Sequence, residues 1–253
     1  MTVTAAQVKE LREKTGVAMM ACKKALVEAN GDMEAAIEVL KKRGQAKAAS
    51  KGDRSTGEGG IAISGRAIIS VLCETDFVAR NEEFVALLDE LAQKADAEGI
   101  EAMTEYFESI KADKIQKIGE NLVLGKAMII EGGNTVAGYV HTNKKVATVV
   151  ALNGGTEDQA RDVAMHATAM DPLVANPEDI DAELIASERA AAREQLLAEG
   201  KPENILDKII DGKIKKFCAE RAMTTQPFVK NGDQTVGEYL GDAELVDFIR
   251  MSI

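Results

Sequence analysis

The chain has 253 residues, 45% of them hydrophobic, with 31 Lys and Arg against 42 Asp and Glu and a formal net charge of -11. That size supplies two or three small domains with real cores, and no apolar run reaches the roughly 20 residues that a membrane-spanning helix needs. The acidic balance argues against a chain that coats nucleic acid as a whole, because that affinity comes from neutralising phosphates. The start, Met1-Thr2-Val3-Thr4, has neither a basic nor an apolar leader segment, so export is not expected. Cys22, Cys73 and Cys218 are an odd number without metal-ligand spacing, two of them at core-like positions, and fit buried thiols in a reducing cytoplasm.

Thr4 with Gln7 forms a capping box, and Val8 and Leu11 carry an apolar stripe to Lys14, where Gly16 closes a first helix. A second helix is predicted over 18–29, with Met19, Cys22 and Leu26 on one face and Asn30-Gly31 as its stop. Asp32 then caps a third that carries Met33, Ile37 and Leu40. These make a three-helix bundle of the ubiquitin-associated kind over 1–45, ended by Gly44, and the mixed Lys, Ala, Ser and Gly stretch 46–60 reads as a linker. Residues 41–54 reverse the sign of the chain locally, with Lys41, Lys42, Arg43, Lys47, Lys51 and Arg54 against Asp53. A solvated helix end and a nucleic-acid or ribosomal contact are both open readings of that run.

From Ile61 the texture changes to strands, over 61–64 and, after a Ser64-Gly65 turn, over 66–74, where Ala67, Ile69, Val71 and Cys73 share a face. Asn81 caps a helix over 81–98 that has Glu82 and Glu83 in its first turn and Phe84, Leu87, Leu88 and Leu91 at helical spacing. A second helical segment spans 100–118. Between strand and helix, the connection from Thr75 to Arg80 puts an apolar ring, Phe77, where a turn should be polar. Either the ring folds back to plug the end of the core, or it serves binding.

Three more strands are predicted over 122–130, 136–142 and 146–152, then a helix over 157–170 and turns at Asp171-Pro172 and Asn176-Pro177-Glu178-Asp179. Two long helices over 181–223, joined by Gly200-Lys201-Pro202, form a hairpin. Its stripes, Leu184, Ile185, Leu196 and Leu197 against Ile205, Leu206, Ile209, Ile210 and Ile214, exceed what two helices cover by themselves. Strands segregated from helices give an α+β fold. Its parts are a core N-subdomain over 61–135, a core C-subdomain over 136–230 that includes the hairpin, and a short C-terminal module over 231–253.

Gly57-Glu58-Gly59-Gly60-Ile61-Ala62 satisfies a dinucleotide pattern, but a charged linker precedes it and a strand follows, the reverse of the required strand-to-helix context. The run from Gly119 to Gly125-Lys126-Ala127 is one residue too long for a phosphate loop, and Ala127 lacks the hydroxyl that would hold magnesium. No direct nucleotide binding is expected. The two histidines, His141 in a strand and His166 on a helix, sit in no triad or metal-site pattern. The chain is therefore expected to be no enzyme, with no catalytic residue, no metal and no cofactor.

Thr75-Asp76-Phe77-Val78-Ala79-Arg80-Asn81-Glu82-Glu83-Phe84 resembles the signature loop of the elongation factor Ts family, the guanine-nucleotide exchange factors of elongation factor Tu. Leu11-Arg12-Glu13-Lys14-Thr15-Gly16-Val17-Ala18-Met19-Met20-Ala21-Cys22-Lys23-Lys24-Ala25-Leu26, followed by Glu28-Ala29-Asn30-Gly31-Asp32, resembles the family's N-terminal signature. Shorter similar pieces are Lys117-Ile118-Gly119-Glu120-Asn121, Ala164-Met165-His166, Gly200-Lys201-Pro202 and Gln226-Pro227-Phe228-Val229, all in the family's order.

The resemblance covers nearly the whole chain and implies a cytoplasmic translation factor. Such a factor binds GDP-loaded elongation factor Tu, promotes release of GDP and magnesium, and allows GTP to reload. The implied magnesium-displacing loop is Thr75, Asp76, Phe77 and Val78. Further implied partner contacts are Met19, Met20 and Lys23 on the bundle, then Ile118, Gly119, Glu120 and Asn121, and His166. Spacing alone puts Met19 in the core with Cys22 and Leu26 and leaves Met20 for the contact. The hairpin resembles a coiled-coil projection that the family uses for dimer or partner contacts, so a homodimer through core or hairpin is among the expectations. Ala21 stands where the family usually has Asp, and Phe248-Ile249-Arg250-Met251-Ser252-Ile253 stands short of its usual Gly- and Glu-containing tail. Two other readings stay open. One is an adaptor whose bundle binds ubiquitin-like partners, and the other is an enzyme using Cys22 or Cys73, which requires a lowered thiol pKa.

Overall fold

In the computed structural model, which describes residues 3–253, Thr4 starts the first helix as its capping box dictates. Met1 and Thr2, the first residues of the expected leaderless start, lie outside the described residues. The Thr4 amide donates to Gln7 Oε1 at 3.0 Å and the Gln7 amide to Thr4 Oγ1 at 3.3 Å, opening α1 (Ala5–Thr15). Gly16 ends it in the left-handed region at φ 67. α2 (Met19–Glu28) and α3 (Met33–Lys51, capped by Asp32) close a three-helix bundle on Leu11, Cys22, Ala25, Leu26, Ala36 and Leu40.

α3 does not stop at Gly44. It runs on to Lys51, so the expected linker over 46–60 shrinks to the few residues before β1 (Glu58–Ser64). The Ala- and Lys-rich composition of this stretch favours helix as much as coil. Gly44 sits inside because the helix passes close to a neighbour: a Cβ there would fall 2.5 Å from Gln116 Oε1.

The chain divides into two compact units, one reaching to Ile129 and the other spanning Ile130–Ser252. In the first, β1 and β2 (Ala67–Cys73) form a tight antiparallel hairpin, with Ser64 opposite Ala67. A one-turn α4 (Asp76–Ala79), α5 (Glu82–Glu98), α6 (Ile100–Ile118) and β3 (Val123–Ile129) follow, and β3 pairs antiparallel with β2 to give the order β1-β2-β3. Ala67, Ile69, Val71 and Cys73 share one core with Phe84, Leu87, Leu88 and Leu91 of α5 and Met103, Phe107 and Ile115 of α6. α5 rides so close on β1 that a Cβ on Gly60 would lie 2.6 Å from Leu88 Cδ1.

In the second unit β4 (Thr135–Val140), β5 (Val146–Asn153) and α7 (Glu157–Met170) are followed by the hairpin of α8 (Ala182–Ala198) and α9 (Glu203–Arg221). β6 (Pro227–Phe228), β7 (Asn231–Thr235), α10 (Val236–Leu240) and β8 (Glu244–Ser252) complete it. The segment 231–253 is not a separate module. β8 pairs antiparallel with β5 from Val146↔Ser252 to Asn153↔Glu244, giving the order β4-β5-β8. β5 is buried from Ala147 to Leu152 and, as a central strand, takes a ladder partner on each side. The boundary between the units accordingly falls at 129/130 rather than 135/136. The hairpin fills one seam with Ala192, Leu196, Leu206, Ile210 and Ile214, while Leu184, Leu197 and Ile205 stay exposed.

Candidate partner-binding surface

Two successive caps shape the turn between β2 and α5. Thr75 Oγ1 accepts from the Val78 amide at 3.4 Å and starts α4, and Asn81 Oδ1 accepts from the Glu83 amide at 2.8 Å and starts α5. One helical turn between them sends its side chains to opposite sides. Ala79 goes in and Val78 packs partly against the core, while Phe77 goes out and is 84% exposed. The ring is not a plug, because Val78 and Ala79 already close the end of the core. Asp76 and Arg80 flank it as an ion pair at 3.4 Å.

Beneath the turn lies a knot of polar ties from distant parts of the first unit. Glu120 Oε2 accepts the amides of Glu74 and Thr75, both at 3.0 Å, and its Oε1 accepts the Thr75 hydroxyl at 2.6 Å. Glu74 Oε1 accepts the Asn121 amide at 2.7 Å, and its Oε2 meets Arg54 at 3.3 Å. The Asn121 N–H, with Arg54 adding to it against the cost of burial, holds the Glu74 carboxyl below the usual carboxylate range. Asn121 Nδ2 donates to the carbonyls of Gly52 at 3.3 Å and Arg54 at 3.1 Å. The Lys51 ammonium, at the end of α3, donates to the Gly119 carbonyl. Burial pushes Lys51 below the usual lysine range, with Lys47 and Arg54 adding to the effect and Glu74 and Glu120 opposing it.

The residues expected as contacts at 118–121 are thus tied into the first unit, with Ile118, Gly119 and Glu120 still part-exposed. Asn121 is buried, Ile118 packs against the core, and Gly119 caps α6 at φ 94. The basic run 41–54 is likewise tied within the chain. Lys41 pairs with Glu38, Arg43 with Glu28 and Arg54 with Glu74, and Lys47 and Lys51 donate to backbone carbonyls of 116 and 119.

On the bundle, Met20 is 64% exposed and Lys23 is exposed. Met19, which spacing places in the core and the resemblance places on the contact face, is 49% exposed. Val17, just ahead of α2, takes the core position and is buried, and Ala25 fills the next turn. Val27 joins the exposed face, off the apolar stripe that helical spacing marks. Ala21, where the resemblance leads one to expect Asp, packs partly against the bundle core.

A family profile described as Elongation factor TS matches residues 74–253. Elongation factor Ts of Marinobacter nauticus is 43% identical over 263 residues, covering 99% of this chain and 91% of its own length. That of Idiomarina loihiensis is 42% identical, covering 100% and 91%, and that of Nautilia profundicola 43%, covering 99% and 92%. The chain belongs to the elongation factor Ts family. Its role is that of a translation elongation factor.

In this member of the elongation factor Ts family, His166 does not reach the surface. It is 0% exposed on α7, its Nε2 lies 2.9 Å from Gln226 Oε1, and its Nδ1 accepts from the Val229 amide at 3.2 Å. That pattern needs a neutral ring protonated at Nε2, and burial pushes its pKa below the usual histidine value. The expected partner contact at His166 is thus corrected to an internal pin between α7 and the β6 region. Met165 beside it is part-exposed and, with Tyr139, His141, Val146 and Val229, lines an open groove of about 500 Å³. His141 sits just past β4 rather than within it, with its Nδ1 3.3 Å from the Tyr139 hydroxyl. Gly59 and Gly60 are strand residues of β1, and Gly119 ends a helix that leads into a strand. Among the described residues no helix is long and apolar enough to cross a membrane.

Proposed function

We propose that this protein is the guanine-nucleotide exchange factor of elongation factor Tu in the cytoplasm, and that Phe77 is its wedge. The supporting observation is an apolar ring that is 84% exposed at the tip of a turn fixed by hydrogen bonds. Thr75, Asp76, Phe77 and Val78 enter the partner's nucleotide-binding domain near its magnesium site and displace the groups that hold Mg²⁺ and the phosphates. This chain contributes no chemical step. It acts by preferring the nucleotide-free partner to the GDP-bound one, and by reciprocity that preference is the same free energy as the weakening of GDP.

Magnitude sets how many contacts the exchange needs. Burying one Phe side chain is worth about 1.5–3 kcal/mol, whereas reversing a 1:99 population takes about 5.5 kcal/mol of differential affinity. Phe77 therefore works with a second surface, and the exposed Met20, Lys23 and Val27 on α2 supply one.

The deciding measurement is release of fluorescent GDP from purified elongation factor Tu, chased with unlabelled GDP, with and without catalytic amounts of this protein. Acceleration well above the spontaneous rate is expected. A spontaneous rate unchanged by folded protein would overturn the proposal.

A further inference from the structure

Phe77 cannot orient itself, since its ring packs on almost nothing, so the precision of any wedge must come from beneath it. We propose that Glu120 is the positioning residue of the Phe77 turn in nucleotide exchange: it acts on the partner only through the geometry it imposes on residues 74–78. The inference rests on the exchange reading above.

β2 ends at Cys73, and the amides of Glu74 and Thr75 then leave the sheet ladder. Glu120 Oε2 takes both. Its Oε1 accepts a hydrogen bond from the Thr75 hydroxyl at 2.6 Å, which leaves the lone pairs of Thr75 Oγ1 free to accept the Val78 amide. One carboxylate thus fixes the exit of the strand and the rotamer of the cap that begins α4, and α4 aims Phe77. Glu120 is itself held from both sides. The Gly119 carbonyl is tied to Lys51, and Asn121 is tied through its amide to Glu74 and through its side chain to the carbonyls of Gly52 and Arg54. A carboxylate accepting several N–H and O–H donors makes charge-assisted bonds, which are shorter and stronger than neutral ones. A loop ordered in advance loses less conformational freedom when it docks, so its affinity is higher for the same contacts.

The test compares Glu120→Ala, Glu120→Gln, Thr75→Val, Phe77→Ala and the double variant Phe77→Ala/Glu120→Ala, read in two ways. In the free protein, Glu120→Ala speeds hydrogen exchange at the amides of Glu74, Thr75 and Val78 while those of α5 keep their protection. In the GDP-release assay it raises the concentration needed for half-maximal stimulation by about tenfold, the scale of one charge-assisted hydrogen bond. Glu120→Gln keeps an acceptor for the two amides and recovers most of both losses. Thr75→Val, which removes only the hydroxyl and keeps the side-chain shape, shifts both readouts in the same direction as Glu120→Ala and covers the case in which the alanine variant fails to fold. The double variant is no slower than Phe77→Ala alone, because a positioning group has nothing left to position. A fully additive loss in the double variant overturns the proposal, since Glu120 would then act elsewhere. Unchanged amide protection at 74–78 in both Glu120→Ala and Thr75→Val overturns it without touching the exchange reading. Normal exchange by Phe77→Ala overturns the wedge and the positioning role with it.

Discussion

At the scale of single residues, Phe77 and His166 are opposite cases of the same rule about what burial does. Phe77 contributes almost nothing to the fold, so Phe77→Ala should leave the unfolding free energy from urea titration within the roughly 0.5 kcal/mol typical of surface changes. It should slow stimulated GDP release about ten- to a hundredfold, the equivalent of about 1.5–3 kcal/mol of lost apolar burial. Stopped-flow release and urea titration on the same preparation separate the two effects. His166 is the reverse, invisible from outside and tied at both ring nitrogens. Its folded pKa lies below its unfolded one, so between about pH 7 and 5 the unfolded chain takes up the proton first and stability falls as pH drops. His166→Gln cannot titrate, and its urea midpoint should decline less steeply than that of the wild type over this interval. Equal slopes would show that the ring is not held neutral. Neither role is written in the residues next to them. The Thr-Asp-Phe-Val stretch announces an odd ring but not which way it points, and the partners that bury His166 lie some 60 residues further on, |i−j| being 60 for Gln226 and 63 for Val229.

At the scale of elements, caps and periodicity carried most of the legible structure. Thr4, Asp32 and Asn81 each accept from an amide of the helix they begin, and those helices start where their caps put them. The failures have a common cause in tertiary contact. Gly44 reads as a stop locally, yet α3 continues because its far end is anchored by Lys51 to the Gly119 carbonyl. Met19 has the spacing of a core residue, yet Val17 reaches the core first. Ties that hold the Phe77 turn span 45 to 69 positions of sequence, beyond the reach of any window. Gly60 gives the same lesson in a testable form. A methyl group there would press on the fully buried Leu88, so Gly60→Ala should destabilise by about 1–3 kcal/mol as an overpacked core does. A urea midpoint equal to that of the wild type would mean that β1 and α5 can separate at no cost.

At the scale of the whole molecule, the α+β class and the hairpin were readable, while the second sheet was not, because its third strand comes from 244–252 and pairs with β5 across a bulge at Ala151/Leu152. β8 buries Leu245 and Met251 and covers one edge of β5. Ending the chain at 243 should therefore strip the amides of β5 of their hydrogen-exchange protection, while β2 and α5 keep theirs. Protection retained in β5 would show that β4 and α7 suffice for that sheet. The same topology sets an order of events during synthesis. Every strand of the first sheet has been made once Ile129 is joined, whereas β5 waits about 90 further residues for its second partner, at register Ala151↔Asp247 and beyond. On a ribosome adding roughly 5–20 residues each second, the first unit has seconds in which to close alone, and the nascent protein carries its Phe77 turn already built while β5, with β4 on one side, still lacks β8 on the other.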